Sequence, residues 1–311
     1  MIDFRPVTIE EKPLYDRYLS ESRNRSCEYA FANMYLWGQR YLAEYAGFLM
    51  LFSRFDGLDS YPFPMGTGDF RQALDAILED AGERSIPCRI TNLDGEGRQI
   101  LETLYPGRFH IYDDRDFYDY VYAIDHLADL PGSKYHRKRN HLRNFEKLYP
   151  TYTTEPLGDG NLDKVRIMTD RWYETKRREA SQEESGEDPA AAFQMERTAL
   201  ENGLKWYREL NMEGLVLLQD GEVLAMTMGS RIAADTFDVH FEKAAPGAEG
   251  AYVGINRAFA DYIREKYPEV RYLNREDDMG IPGLRKAKES YYPHHMVEKC
   301  WAIPAEDDDA D

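Results

Sequence analysis

Between residues 210 and 244 the apolar positions come in runs of strand length. The stretch "LNMEGLVLLQDGEVLAMTMGSRI" holds two such runs joined by Gln219-Asp220-Gly221-Glu222. Asp-Gly between apolar runs signals a tight hairpin. A third strand, "TFDVHFEKA", follows directly, and then a glycine-bearing loop, "APGAEGA". The pattern next changes to a period near 3.6. Ile255, Phe259, Tyr262 and Ile263 share one face of a predicted helix, which Pro268 ends. "EVRYLNRE" reads as the next strand and "HMVEKCWAI" as the last.

The N-terminal half follows the same order. "GQRYLAEYAGFLMLFSRFDGLDSYPFPMG" gives two or three strands with turns between them. "DFRQALDAILEDAGERS" gives a helix with Phe70, Leu74, Ile77 and Leu78 as its stripe. A strand "PCRITNLD", a helix "EGRQILETLYPG" and a closing strand region "FHIYDDRDFYDYVYAI" complete it. Antiparallel strands, helix, strand, helix and strands therefore occur twice. This order resembles the GCN5-related N-acetyltransferase fold in tandem: an α+β protein with two domains, each a mixed, mostly antiparallel sheet flanked by helices. The alternative is two unrelated α+β domains. The expected boundary lies near Pro150, giving domains 1–150 and 151–311. Ser, Glu, Gly and Pro in residues 175–193 predict an exposed loop, and the acidic tail from about 304 is expected to be disordered.

Charge narrows the function classes. With 39 Lys+Arg against 57 Asp+Glu the net charge is −18, so the chain is no general polyanion binder and any anion site must be local. Cys27, Cys88 and Cys300 are far apart and odd in number, which points to a reducing, cytoplasmic setting. The opening "MIDFRPVTIEEKP" lacks the pattern of a signal peptide, and the apolar run 46–52 is too short to span a bilayer.

Against that acidity, "KYHRKRNHLRNFEK" (134–147) packs six Lys/Arg against Glu146 alone. Ser133 is placed to cap a helix in which Tyr135, Leu142, Phe145 and Tyr149 face the core. Cations crowd its first turns, where the helix dipole already favours an anion, so a bound phosphate or polyanion is expected there. The alternative is a solvated helix balanced by acids elsewhere. A second constellation, "LNREDDMGIPGLRKAKESYYPHH" (273–295), combines Arg275, Glu276, Asp277 and Asp278 with Arg285, Lys286 and Lys288. An acid there could accept a proton while the cations hold a phosphate or stabilise an oxyanion; an ion-paired loop is the alternative. Tyr291 and Tyr292 are possible proton donors. The seven histidines form no HxxxH pair, so no metal site is expected, and no GxGxxG, Walker or GxSxG motif occurs. "MGTGDF" (65–70) reads as a plain turn rather than a phosphate loop.

Taken together, "LPGSKYHRKRNHLRNF", "HFEKA…GAYVGINRAFA", "NREDDMGIPGLRKAKESYYP…EKCWA" and "EYAFANMYLWG" make the chain similar to the soluble bacterial proteins related to the C-terminal domain of phosphatidylglycerol lysyltransferase. The resemblance implies a tandem acyltransferase fold shared with peptidoglycan-branching aminoacyltransferases. Membrane-bound relatives transfer lysine from lysyl-tRNA to a lipid headgroup, whereas no membrane-spanning segment is read in this sequence. Ordinary acetyltransferases carry a Q/R-x-x-G-x-G/A loop. The matching "AAPGAEGAYVG" keeps Gly247 and Gly250 but lacks the leading Gln/Arg, which weakens the case for coenzyme A or acyl-CoA as donor.

The leading expectation is an aminoacyl- or acyltransferase with a phosphate-bearing donor, aminoacyl-tRNA in first place, and an amine, hydroxyl or lipid-headgroup acceptor. Lys138, Arg139, Arg143, Arg285 and Lys288 would hold donor phosphates. Glu242 or Glu276 would be the base, with His240 and Tyr291 as further catalytic candidates. A coenzyme-A-dependent N-acetyltransferase of a small amine and a non-catalytic binding or regulatory module are the alternatives.

Overall fold

The computed structural model describes residues 1–22, 24–55, 57–180 and 189–305. It divides into two compact units. The first joins Met1–Tyr120 to Glu276–Lys288 and to the chain from His295 onward; the second joins Val121–Arg275 to Glu289–His294. The boundary expected near residue 150 thus falls inside the second unit, and the chain crosses between units more than once. Strand pairing is the reason. The C-terminal strand Cys300–Pro304, expected to close the C-terminal half, pairs instead with Phe109–Asp113 and Ile90–Leu93 of the first unit.

In the first unit the sheet runs Arg5–Pro6, Gln39–Tyr45, Phe48–Phe55, Leu58–Pro62, Ile90–Leu93, Cys300–Pro304, Phe109–Asp113. Neighbours are antiparallel except Leu58–Pro62 beside Ile90–Leu93, which a crossover through the helix Phe70–Arg84 makes parallel. That helix starts where the Asp69 side chain accepts from Arg71 N and ends at Ser85 in the left-handed region. Leu74 and Ile77 pack into a core with Phe48, Met50, Phe52, Tyr61, Ile90 and Leu101. "MGTGDF", expected as a plain turn, begins as a two-residue strand, Met65–Gly66, paired with Phe48 and Leu49; a Cβ on Gly66 or Gly68 would lie 2.4 Å from the carbonyl oxygen of Gly47 or Ala46.

The second unit repeats the plan. Its sheet runs from residues 121–123 through Tyr272–Asn274, Thr236–Ala244, Glu222–Ala233 and Met212–Gln219 to Thr153–Pro156. Asp220 and Gly221, with φ of 52° and 83°, close the predicted hairpin as a primed turn. Thr236–Ala244 runs parallel to Tyr272–Asn274, again through a crossover helix, Ala251–Lys266. The tandem, mostly antiparallel α+β architecture is therefore present. The ends of the exposed loop expected over 175–193 are helical, in Leu162–Ala180 and Pro189–Trp206, and its centre, 181–188, lies outside the described residues. Pairs such as Lys176–Glu179, 2.7 Å apart, let a strongly polar sequence remain helical. Residues 306–311, which hold most of the acidic tail, also lie outside the described residues. No described helix is long and apolar enough to cross a membrane.

A register shift shapes the centre of the second sheet. Met228 pairs with Phe241 but Gly229 pairs with Val239, leaving His240 as the extra residue of a bulge. Gly229 permits it, since a Cβ there would sit 2.0 Å from Asp238 O. The nearest atom is backbone and cannot swing away, so Gly229→Ala is expected to lower unfolding free energy by about 1–3 kcal/mol in urea denaturation.

The first unit also encloses a charged cluster. Lys299 Nζ lies 2.6 Å from both Glu28 Oε1 and Asp119 Oδ1 and 3.8 Å from Asp277 Oδ2, with Cys27 Sγ beside it. Burial pushes the Asp277 carboxyl up to about 7, against the pull of Lys299 and with the repulsion of Glu28 and Asp119. The folded state therefore retains a proton on Asp277 that the unfolded chain releases near pH 4, and stability contributed by this group falls as pH rises from about 4 to 7. Asp277→Asn is expected to flatten that fall, measured as urea midpoints at about pH 5 and pH 8.

Candidate functional site

The parallel pairing of Thr236–Ala244 with Tyr272–Asn274 ends at Asp238–Asn274. Beyond it the first strand runs on to Ala244 while the second gives way to Arg275, and this gap in the pairing is the candidate cleft. Arg275 spans it, its Nη2 donating to Glu242 Oε1 at 2.9 Å, with each side chain 13% exposed. On the crossover helix, Asn256 Nδ2 approaches the other Glu242 oxygen at 3.5 Å. The Arg275 guanidinium lies 5.2 Å from the Tyr291 ring centre and 5.7 Å from that of Tyr122.

Lys138 enters the same cluster from the basic segment. Its Nζ sits 3.6 Å from the centre of the Tyr291 ring. Tyr135 fixes this approach by donating from its hydroxyl to Tyr291 O at 2.8 Å, and its ring stands edge-on to Tyr292. Burial pushes the Lys138 ammonium down to about 8; Arg275 and Arg137 add to the effect and Glu242 opposes it. Burial also raises the Tyr291 phenol above its ordinary value, so the ring stays neutral. Glu242, Tyr291 and Lys138, named from sequence, thus meet, together with Arg275, Tyr122 and Asn256.

The basic segment is the helix His136–Leu148. Ser133 does not cap it: Ser133–Tyr135 form a preceding 3-10 turn, and Tyr135 is the residue before the helix, with no side-chain cap. Phe145 is buried against Gly250 and Gly254, where added Cβ atoms would each come within 2.9 Å of it. Arg139 donates to the carbonyls of Leu130 and Gly132, which ties down the turn before the helix rather than leaving it for a ligand. Arg143 is exposed and reaches Asn140 Oδ1 at 3.3 Å. Among the described residues no carboxylate pairs with Lys134, Arg137, Arg143 or Lys147.

Other sequence candidates lie elsewhere. His240 is sealed by its bulge, with Nε2 2.7 Å from Ser230 Oγ and Nδ1 3.5 Å from Asp238 Oδ2; neither its side chain nor that of Asp238 is exposed. Glu276, Arg285 and Lys288 belong to the first unit. Glu276 Oε1 accepts from Asn33, Arg285 pairs with Asp278 and Asp116, and Lys288 donates to the carbonyls of Glu276 and Asp277. The Arg285 pair holds the Asp278 carboxyl well below the ordinary range. The proposed phosphate ligands Arg285 and Lys288 are therefore spent on structure.

The loop before Ala251–Lys266 fits coenzyme A poorly. Gly250, with φ 77°, is needed for the turn and for contact with Phe145, while Gly247, with φ 80°, meets nothing nearby. The N–H groups of Ala248, Glu249 and Ala251 donate to carbonyls of the loop itself, and those of Val253 and Gly254 to Gly250 O. Few donors remain to cradle a pyrophosphate, and the exposed Glu249 would repel one.

The two units, each a mostly antiparallel sheet with a crossover helix, have the tandem GNAT-like fold. A tandem GNAT protein from the clavulanic acid biosynthesis pathway shares the fold, with TM-score 0.51, 10% identity, 98% of this chain and 99% of that one covered. So does L-PGS from Bacillus licheniformis, at TM-score 0.63 and 14% identity, covering 94% and 91%. A conserved protein of unknown function from Bacteroides thetaiotaomicron is much nearer: TM-score 0.89, 32% identity, covering 98% of this chain and all of that one. The profile of the family described as phosphatidylglycerol lysyltransferase, C-terminal, matches residues 20–303, and the chain belongs to that family. No curated protein matches the sequence.

Two of the cluster's residues were not singled out from sequence. Tyr122 is one tyrosine among 23, and Asn256 shows only as a polar residue beside Ile255 in an otherwise apolar stripe. Glu242→Gln would leave the largely buried Arg275 without its ion-pair partner. It is expected to cost about 3 kcal/mol in thermal or urea unfolding.

Proposed function

We propose that the chain transfers an acyl group from aminoacyl-tRNA to an amine or hydroxyl acceptor, with the Glu242–Arg275–Tyr291–Lys138 cleft as the reaction site. The observation that carries this reading is the outer face of the basic helix. Lys134, Arg137, Arg143 and Lys147 have no acidic partner among the described residues of a chain with net charge −18. Cations without a carboxylate partner along this helix and the turn before it suit a phosphate backbone, and Lys138 on the helix points to the cleft. Membership in the phosphatidylglycerol lysyltransferase C-terminal family supports the same direction.

In the cleft, the Arg275 guanidinium would stabilise the oxyanion that develops on the donor's ester carbonyl. Glu242 holds that guanidinium in place. Tyr122 and Tyr291 flank it and would limit its contact with water. The loop geometry disfavours acyl-CoA as the donor by the usual cradle.

Equilibrium binding of a bulk aminoacyl-tRNA pool, coenzyme A and acetyl-CoA, at about 50 and 200 mM salt, tests the proposal. Salt-sensitive tRNA binding is expected. Its log–log salt slope should fall by about 2–3 when Arg137, Arg143 and Lys147 are all changed to Ala. Coenzyme A binding alone would instead indicate a small-molecule acetyltransferase. Binding of none of the three would indicate a non-catalytic module.

A further inference from the structure

We propose that Lys138, rather than a carboxylate, is the general base of the transfer: its Nζ takes the proton from the acceptor as the acceptor attacks. The inference rests on the reading above and assigns the proton's path within that cleft. As the acceptor's nitrogen or oxygen bonds to the donor's carbonyl carbon, its N–H or O–H bond breaks and the proton passes to neutral Nζ. When the ester C–O bond then breaks, the departing oxygen takes that proton back, so Lys138 ends the cycle neutral and no outside reagent is consumed.

The geometry excludes the other groups first. Both Glu242 oxygens are engaged, by Arg275 and by Asn256. His240 is sealed within the sheet, and Glu276 Oε1 accepts from Asn33. Tyr291 is a neutral phenol whose burial opposes ionisation. Of the sequence-named cleft residues, Lys138 carries the group whose neutral form is a base, and no carboxylate is bonded to it.

Its surroundings favour loss of the proton. Lys138 lies in the first turn of His136–Leu148, where the helix dipole disfavours a cation. Arg275 shares the Tyr291 ring and Arg137 is its neighbour in sequence. Glu242 favours the ammonium, but its charge is already compensated by Arg275. The Tyr291 face holds the ammonium form in position, while Tyr135 fixes the backbone of Tyr291 beneath it. Burial and the two arginines bring the ammonium to about 8, which leaves a usable neutral fraction near pH 7.5.

Two measurements on the full chain decide the matter. In the first, trace acetic anhydride labels lysines across a pH series, with each site read by mass spectrometry. Lys138 is expected to titrate near 8, well below exposed Lys147. Coincidence of the two midpoints overturns the proposal. In the second, transfer from the aminoacyl-tRNA pool is followed for Lys138→Arg and Lys138→Ala. Lys138→Arg keeps the charge but cannot act as a base. It should lose about 10²- to 10⁴-fold in kcat with donor affinity unchanged. Lys138→Ala should be partly rescued by added methylamine, increasingly so as pH rises. Undiminished kcat and an unchanged pH profile for Lys138→Arg would reduce Lys138 to a cationic contact. If the wild-type chain transfers nothing while Lys138 still titrates low, the transferase reading fails and its base falls with it, but the perturbed amine stands.

Discussion

The site depends on the early end of one strand pairing. Thr236–Ala244 and Tyr272–Asn274 are hydrogen-bonded over only three residue pairs, and the longer strand then continues without that neighbour. Had the pairing run on, backbone would fill the space that Arg275 crosses to reach Glu242. The His240 bulge in the same strand belongs to this constraint, because an extra residue increases local twist and bends the strand. Gly229 is the residue that lets the neighbouring backbone come close enough.

The chemistry of the cleft arises from groups brought together under partial burial. An arginine and a glutamate paired at 13% exposure each neutralise one another and leave a polar but electrically balanced wall. A lysine placed next to that wall, over an aromatic face and at a helix N-terminus, loses the solvation that would keep it charged. The contrast with the rest of the basic helix is instructive. Lys138 and Arg139 are consecutive, yet one faces the cleft and the other ties down backbone carbonyls, while Arg137, Arg143 and Lys147 face solvent. A single run of positive charge thus divides into three physical roles according to helical phase.

The same division holds for the constellation at 273–288. Arg275 completes the cleft of the second unit, whereas Asp278 and Arg285 brace the first. Asp277 lies with Glu28, Asp119 and Lys299 in a buried cluster whose carboxylates outnumber its ammonium. Charged residues adjacent in sequence serve different units because the chain crosses between them here. Spacing along the chain carries no information about that crossing.

Local pattern was enough for much of the architecture. The alternation and Asp-Gly turn of 212–233, the helical stripes at 70–78 and 255–263, and the repeated order of elements are properties of a few neighbouring residues, and the structure keeps them. Residues 175–180 are helical despite a composition typical of loops, because ion pairs one helical turn apart stabilise the helix. The placement of Cys300–Pro304 in the first sheet, and with it the division into units, is a long-range pairing that no local pattern encodes. Glu242, Tyr291 and Lys138 could be named from the sequence as chemically able. That they meet, that His240 is sealed, and that Arg285 and Lys288 are consumed by internal partners were decided only by tertiary structure, since burial and hydrogen-bond geometry are properties of the packed chain.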